Sequence, residues 1–418
     1  MTLALSVNFV TVPGRFLAAA SNEYLKQAVL LFVALCVLLL TRRWRSRVGV
    51  AGWPLVAFAL LVFYCSLTLL WSESLADSLR YINKLWLAAA LTALVLTVRT
   101  ADYPRVLSVL ESVMAAFLVL TIASELVLRD FLYPGRIGDA RLVGFSDVHS
   151  TKYLASIAGI VFLVRALMTR RLRWIGLAAG SLIIMTLSLQ RAIIGAAIGA
   201  ITFVVMLLLI WKRRVGVAVA GLVMIAVTVA GGTYLLFDYA PLRSRMFPTE
   251  AHATVAQQLL LSGRALEAYG LVQMHGREEF WAVAGSAERG IGGLGFGVVG
   301  SQIERAIGEY WQMHNDYLKL LVETGPTGVA LYGVLIAALV SAVTRGVWRA
   351  RTPFGAMLFM MAGGCFLIAP LNGMFDNALD HVQKNVFFGL GFLIMAARWE
   401  ADSPVPNASS TTLAARQE

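Results

Sequence analysis

Residues Trp174 to Trp211 read WIGLAAGSLIIMTLSLQRAIIGAAIGAITFVVMLLLIW. As one helix this run would be roughly 57 Å long, nearly twice a hydrocarbon core of about 30 Å. Arg170-Arg171-Leu172-Arg173 precedes it and Lys212-Arg213-Arg214 follows it. Short loops rich in Lys and Arg stay cytoplasmic, so both ends of the run belong on the same face. The chain must therefore cross, turn near Gln190-Arg191 and cross back, although neither proline nor glycine announces the turn.

The rest of the chain follows the same pattern. Its 418 residues are 59% hydrophobic and 14% charged, against about 45–50% and 25% in soluble domains. The apolar stretches are roughly 15–24 residues long, which suits helices that span a bilayer; a barrel would show short alternating segments instead. The fold class expected is an all-α polytopic membrane protein. Basic clusters recur at Arg42 to Arg47, Arg99 and Arg105, Arg170 to Arg173, Lys212 to Arg214, Arg345 to Arg351, and Arg398. They mark one face and predict about twelve transmembrane helices with both termini cytoplasmic. The net charge of +11 resides largely in these clusters, which points to topology and membrane lipids rather than to nucleic acid. The first segment has no basic n-region and is followed by further spans, so it reads as a retained helix, not a signal peptide. Residues 1–236 would carry helices one to nine, 237–324 one large outer loop, 325–400 helices ten to twelve, and 401–418 a disordered polar tail. Cys36, Cys65 and Cys365 all lie in apolar runs, where free cysteine behaves as a small hydrophobe, and no disulfide is expected.

The opposite face receives Ser21–Lys26, Ser72–Lys84, Arg129–Thr151, the turn at Arg191, the long loop and Asn372–Gln383, with all five histidines. Helix connections in bundles take about 2–8 residues; a loop of roughly 85 is an extramembrane structure. Within it, His252–Leu271 and Arg277–Ala284 have the apolar spacing of amphipathic helices that would lie over the bundle. Gly290 to Gly297 contains a formal G-x-G-x-x-G, but no βαβ unit surrounds it; it reads as a glycine-rich corner where backbones approach. No H-E-x-x-H, no Cys–His ligand spacing and no G-x-S-x-G elbow occurs, so no metal or cofactor is expected. What remains are the outward cations Arg141, Arg191, Arg264 and Arg289, and His314 within Met313-His-Asn-Asp-Tyr-Leu-Lys-Leu-Leu-Val-Glu-Thr-Gly-Pro-Thr-Gly328. Guanidinium forks suit phosphate, and an imidazole suits proton abstraction near neutral pH. Together they fit a phosphate leaving group and a hydroxyl nucleophile. The same residue types also serve channels, transporters and receptors. Arg191 alternatively snorkels to headgroups, Arg264 is a solvated helix charge, and His314 caps a helix or bridges water.

His314-Asn315, nine residues, Gly325, two residues and Gly328 resemble the motif H-[NSQ]-x9-G-x-x-[GTY] of the O-antigen ligase and polymerase superfamily. Arg141-Leu-Val-Gly144-Phe145 is similar to its R-L-x-G-x-F stretch, although Asp147-Val148-His149 stands where the family has Pro-Asn, and His149 receives no role. Ser188-Leu-Gln-Arg191 resembles the S-R segment at the outer end of a helix. Ser262-Gly263-Arg264 resembles the S-G-R of the large loop, and Gly293-Leu-Gly295-Phe-Gly297 the G-x-G-x-G before the histidine. The resemblance covers roughly residues 72–380 of the sequence.

The resemblance implies a GT-C-type glycosyltransferase of the bacterial inner membrane with its active site on the periplasmic face. Its donor would be O-antigen glycan on undecaprenyl diphosphate and its acceptor lipid A–core; neither metal nor cofactor is implied. Carried over by residue, His314 would be the general base, and Arg191 and Arg264, with Arg289 and Arg141 as further candidates, would hold the diphosphate. Asp376, in the last outer loop, would orient His314 or an acceptor hydroxyl; Asp316 is nearer in sequence, but two residues on it would point away on a helix. Direct displacement would invert the donor's anomeric centre. The late position of the large loop, between the ninth and tenth spans, and the expected lack of a large soluble domain after the last helix favour a ligase. A polymerase or protein O-oligosaccharyltransferase shares the histidine motif, and a lipid-linked glycan transporter is the alternative from another class.

Overall fold

The computed structural model describes residues 49–127, 148–188, 190–212, 243, 247, 249–262, 264, 281–282, 291–308 and 313–403. They form helices α1 (Gly52–Leu67), α2 (Leu75–Val95), α3 (Tyr103–Val127), α4 (Val148–Thr169), α5 (Leu172–Leu187) and α6 (Arg191–Lys212). After these come α7 (Glu250–Leu261), α8 (Val299–Ile307), α9 (Asp316–Arg349), α10 (Pro353–Asn372) and α11 (Val382–Asp402). No strand occurs among the described residues. Six helical segments there are long and apolar enough to cross a bilayer: Gly49–Leu70, Thr100–Val127, Thr151–Thr169, Ala192–Lys212, Asp316–Arg349 and Pro353–Asn372. The chain is an all-α, membrane-embedded protein. The first, second and ninth expected spans lie outside the described residues, as does the tail beyond residue 403.

The run from Trp174 to Trp211 is broken as its length requires. α5 ends at Leu187 and α6 begins at Arg191, and Ser188 closes the first helix by donating its hydroxyl to the Met185 carbonyl at 2.6 Å.

α10 is the axis of the packing: nearly every residue is buried, and α4, α6, α9 and α11 surround it. Small side chains permit this crowding, as in other membrane bundles. A methyl group on Gly364 would strike Ile160 of α4 and Val204 of α6. Charge inside the bundle is paired, as desolvation demands: Glu111 of α3 takes both ends of the Arg165 guanidinium of α4, which also lies 5.4 Å from the Trp174 ring.

α9 is not one straight rod. Gly325 has φ 66° and ψ −172° inside it. Tyr317 and Tyr332, fifteen residues apart, would be separated by about 22 Å along a straight helix, yet their ring centroids are 5.8 Å apart. A short helix up to Thr324 therefore folds sharply against the long span that starts at Pro326. Gly325-Pro326-Thr327-Gly328 makes a reversal here. Pro326 has no N–H to give to the Val322 carbonyl four residues back, and the fold also frees the Glu323 carbonyl. The Leu294 and Gly295 N–H groups donate to these two oxygens at 3.0 and 2.9 Å.

The glycine-rich stretch is therefore a backbone seal over a helix break. Gly295, at φ 107°, lets it pass close to Ser72, and its neighbour Phe296 donates its N–H to Thr68 Oγ1 at 2.9 Å. In the large loop, the helix expected over His252–Leu271 instead spans Glu250–Leu261. The Arg264 N–H reaches back to the Leu259 carbonyl at 2.8 Å, the bond that closes a helix end where the sequence supplies Ser-Gly-Arg. The helix expected over Arg277–Ala284 lies mostly outside the described residues.

Candidate functional site

His314 is presented by a backbone fastened on both sides. The carbonyl of buried Met313 accepts the Trp281 indole N–H at 2.8 Å. The His314 N–H donates to Asn377 Oδ1 at 2.9 Å. Asn315 Oδ1 caps α9 by accepting the Leu318 N–H at 3.0 Å, as its residue type favours. The Asp316 N–H then donates to the Gly373 carbonyl at 2.7 Å. Between these anchors His314 adopts φ 52°, a left-handed conformation uncommon for any residue but glycine. Such conformations persist where the surroundings enforce them, and they cluster at functional sites.

The loop between α10 and α11 provides the other half. His314 Nδ1 lies 3.3 Å from Asp376 Oδ1, and Asp376 Oδ2 forms a salt bridge with Lys152 Nζ of α4. Oδ1 also accepts the Asn377 N–H at 2.9 Å. Burial on its own would raise the Asp376 carboxyl; the Lys152 ammonium, with hydrogen bonds from His314 and Lys152, outweighs it and holds the group well below the usual carboxylate range. Asp376 is thus an ionised acceptor.

Its partner nitrogen on His314 must carry the hydrogen, which leaves the Nε2 lone pair of the neutral ring free to accept a proton. The Asn377 amide nitrogen also stands 3.4 Å from Nδ1. It is the longer contact and lacks charge, so the carboxylate decides the tautomer. The His314 side chain is 22% exposed: open to a partner, yet shielded from bulk water.

The structure therefore joins two of the six residues singled out by the sequence, His314 and Asp376. Asp316 is directed elsewhere, its Oδ2 accepting the Leu379 N–H at 2.8 Å. Arg191 is the first residue of α6. Arg264 is exposed just beyond α7. Arg141 and Arg289 lie outside the described residues. Lys152 and Asn377 were not singled out from sequence. Lys152 had a signal, being an ionisable residue at the start of the apolar run Thr151–Thr169, where charge is costly enough to need a reason. Lys152 Nζ also lies 3.4 Å from Gln190 Oε1, beside Arg191 in sequence. No three His, Cys, Asp or Glu side chains among the described residues converge as a metal-binding set.

Chemically, a buried carboxylate behind a partly exposed imidazole can serve as a general base whose orientation and tautomer are fixed in advance. No protein-family model matches the chain, and no curated protein matches it.

Proposed function

We propose that the chain is a GT-C-type glycosyltransferase of the bacterial inner membrane, an O-antigen ligase that moves a glycan from undecaprenyl diphosphate to a hydroxyl of lipid A–core. The observation that carries this reading is the His314–Asp376 contact at the mouth of α9, within the histidine motif. His314 Nε2 takes the acceptor hydroxyl's proton as that oxygen attacks the donor's anomeric carbon. The bond from that carbon to the diphosphate oxygen breaks with its electron pair, and undecaprenyl diphosphate leaves with the anomeric centre inverted. Arg191 and Arg264, with Arg289 and Arg141, hold the diphosphate, whose growing negative charge is best met by fixed cations away from bulk water. The site faces the periplasm and both termini face the cytoplasm.

The test is reconstitution of the purified chain with undecaprenyl-diphosphate-linked glycan and, separately, lipid A–core, a second donor or an acceptor protein. Mass gained by lipid A–core is the expected result. A gain on the second donor would make the enzyme a polymerase, and a gain on protein an oligosaccharyltransferase. His314→Ala should bind donor normally yet lose turnover by roughly 10²–10⁴-fold. Wild-type protein that carries lipid-linked glycan across a bilayer without transferring it, indifferent to His314→Ala, would make it a transporter instead.

A further inference from the structure

Whether His314 can act as a base depends on which ring nitrogen holds the hydrogen, and that is decided behind the ring. A buried carboxyl group left without a cation takes up a proton. Its O–H then donates. An Asp376 that donated to His314 Nδ1 would drive the ring hydrogen to Nε2 and abolish the outward lone pair. The group that prevents this is Lys152, whose side chain is 0% exposed and forms a salt bridge with Asp376 Oδ2. Its second polar contact, Gln190 Oε1 at 3.4 Å, is at the turn from which α6 and Arg191 start.

We propose that Lys152 is a positioning residue: it holds Asp376 as an acceptor and so keeps His314 in the tautomer whose Nε2 is open, in register with the α5–α6 turn. Lys152 acts through Asp376 and never meets the reacting atoms. The inference rests on the transfer reaction proposed above for its kinetic test alone; the tautomer test stands without it.

The experiment uses the full chain in lipid nanodiscs with ring-¹⁵N histidine, the His314 signals being assigned by their loss in His314→Ala. At a pH where the ring is neutral, the wild type should show the hydrogen on Nδ1. Lys152→Met should move it to Nε2, and Lys152→Arg, which keeps the cation, should leave it on Nδ1. Lys152→Gln keeps a polar contact without charge and places no unpaired ion in the interior; it should behave as Lys152→Met does, and it decides the matter should Lys152→Met fail to fold. In the transfer assay, the neutral variants should lose about 10²-fold or more in kcat with KM unchanged, and Lys152→Arg should recover most of it.

An Nδ1–H signal that persists in the neutral variants would overturn the proposal, as would equal kinetic loss in Lys152→Arg and Lys152→Gln. A wild type that transfers no glycan removes the ligase reading, while the tautomer result still decides the role of Lys152.

Discussion

Asp376 is under opposing influences, and the direction in which they resolve makes a prediction. Burial favours its neutral form, whereas Lys152 and His314 favour its charge, and the charge wins. Its folded-state pKa thus lies below the unfolded value of about 3.9. The carboxylate's contribution to stability is complete above that value and disappears as pH falls through it toward the folded one. Asp376→Asn should therefore lower stability by roughly 3–5 kcal/mol, because it strands a buried ammonium, and that loss should not grow between about pH 5 and pH 8. Unfolding followed in detergent at several pH values checks this, and a loss that grew steadily with pH across that window would contradict an Asp376 already ionised. The sequence left Asp376 to orient either His314 or an acceptor hydroxyl, and the structure sets it beside His314. Lys152 stood out only as a charge at the head of an apolar run, and nothing tied it to Asp376 until α4 is packed against the loop after α10.

At the scale of elements, the junction of α9 with the glycine-rich stretch rests on Gly325. Its φ and ψ fall in a region open essentially to glycine alone, and a Cβ there would run into the Ile291 carbonyl oxygen. Gly325→Ala must either strain that backbone or push away the stretch that satisfies the Val322 and Glu323 carbonyls. We expect it to cost at least the 1–3 kcal/mol typical of such strain and to loosen the short helix that follows His314. Thermal unfolding measures the first effect. Hydrogen exchange at Leu294 and Gly295, whose N–H groups close the break, measures the second; exchange as slow as in the wild type would show the seal does not depend on the fold at Gly325. Sequence pattern located this break, because Gly-Pro-Thr-Gly marks an interruption, but not its sense. Whether a chain stops, kinks or reverses depends on what receives the freed carbonyls, and the receiver here lies about thirty residues upstream. The same limit explains the large-loop helix, where apolar spacing continued past Leu261 while the bond from Arg264 to Leu259 ended it.

For the molecule as a whole, the length of the apolar runs was the most legible signal. The break before Arg191 followed from the mismatch between a run of roughly 57 Å and a hydrocarbon core of about 30 Å, and each of the six segments long and apolar enough to cross a bilayer overlaps a run read as a span, whereas α2 begins at Leu75, inside the stretch Ser72–Lys84 expected to be a connection. How those helices surround α10 was not legible, because α10 is apolar on every side and has no amphipathic face to orient it. Its two ends nevertheless allow a decisive test of sidedness. α10 has 20 residues, about 30 Å of helix, so that Arg349 before it and Met374 after it stand on opposite faces if it spans. Met374 is exposed and lies two residues from Asp376, while Arg349 is exposed among the basic residues expected in the cytoplasm. Cys65 and Cys365 are buried, so a Cys36→Ser background is suited to labelling. In spheroplasts, a membrane-impermeant maleimide should label Met374→Cys directly and Arg349→Cys only after permeabilisation. The reverse pattern would put His314 and Asp376 on the cytoplasmic face, beyond reach of a periplasmic donor, and the proposed ligase reaction could not occur there.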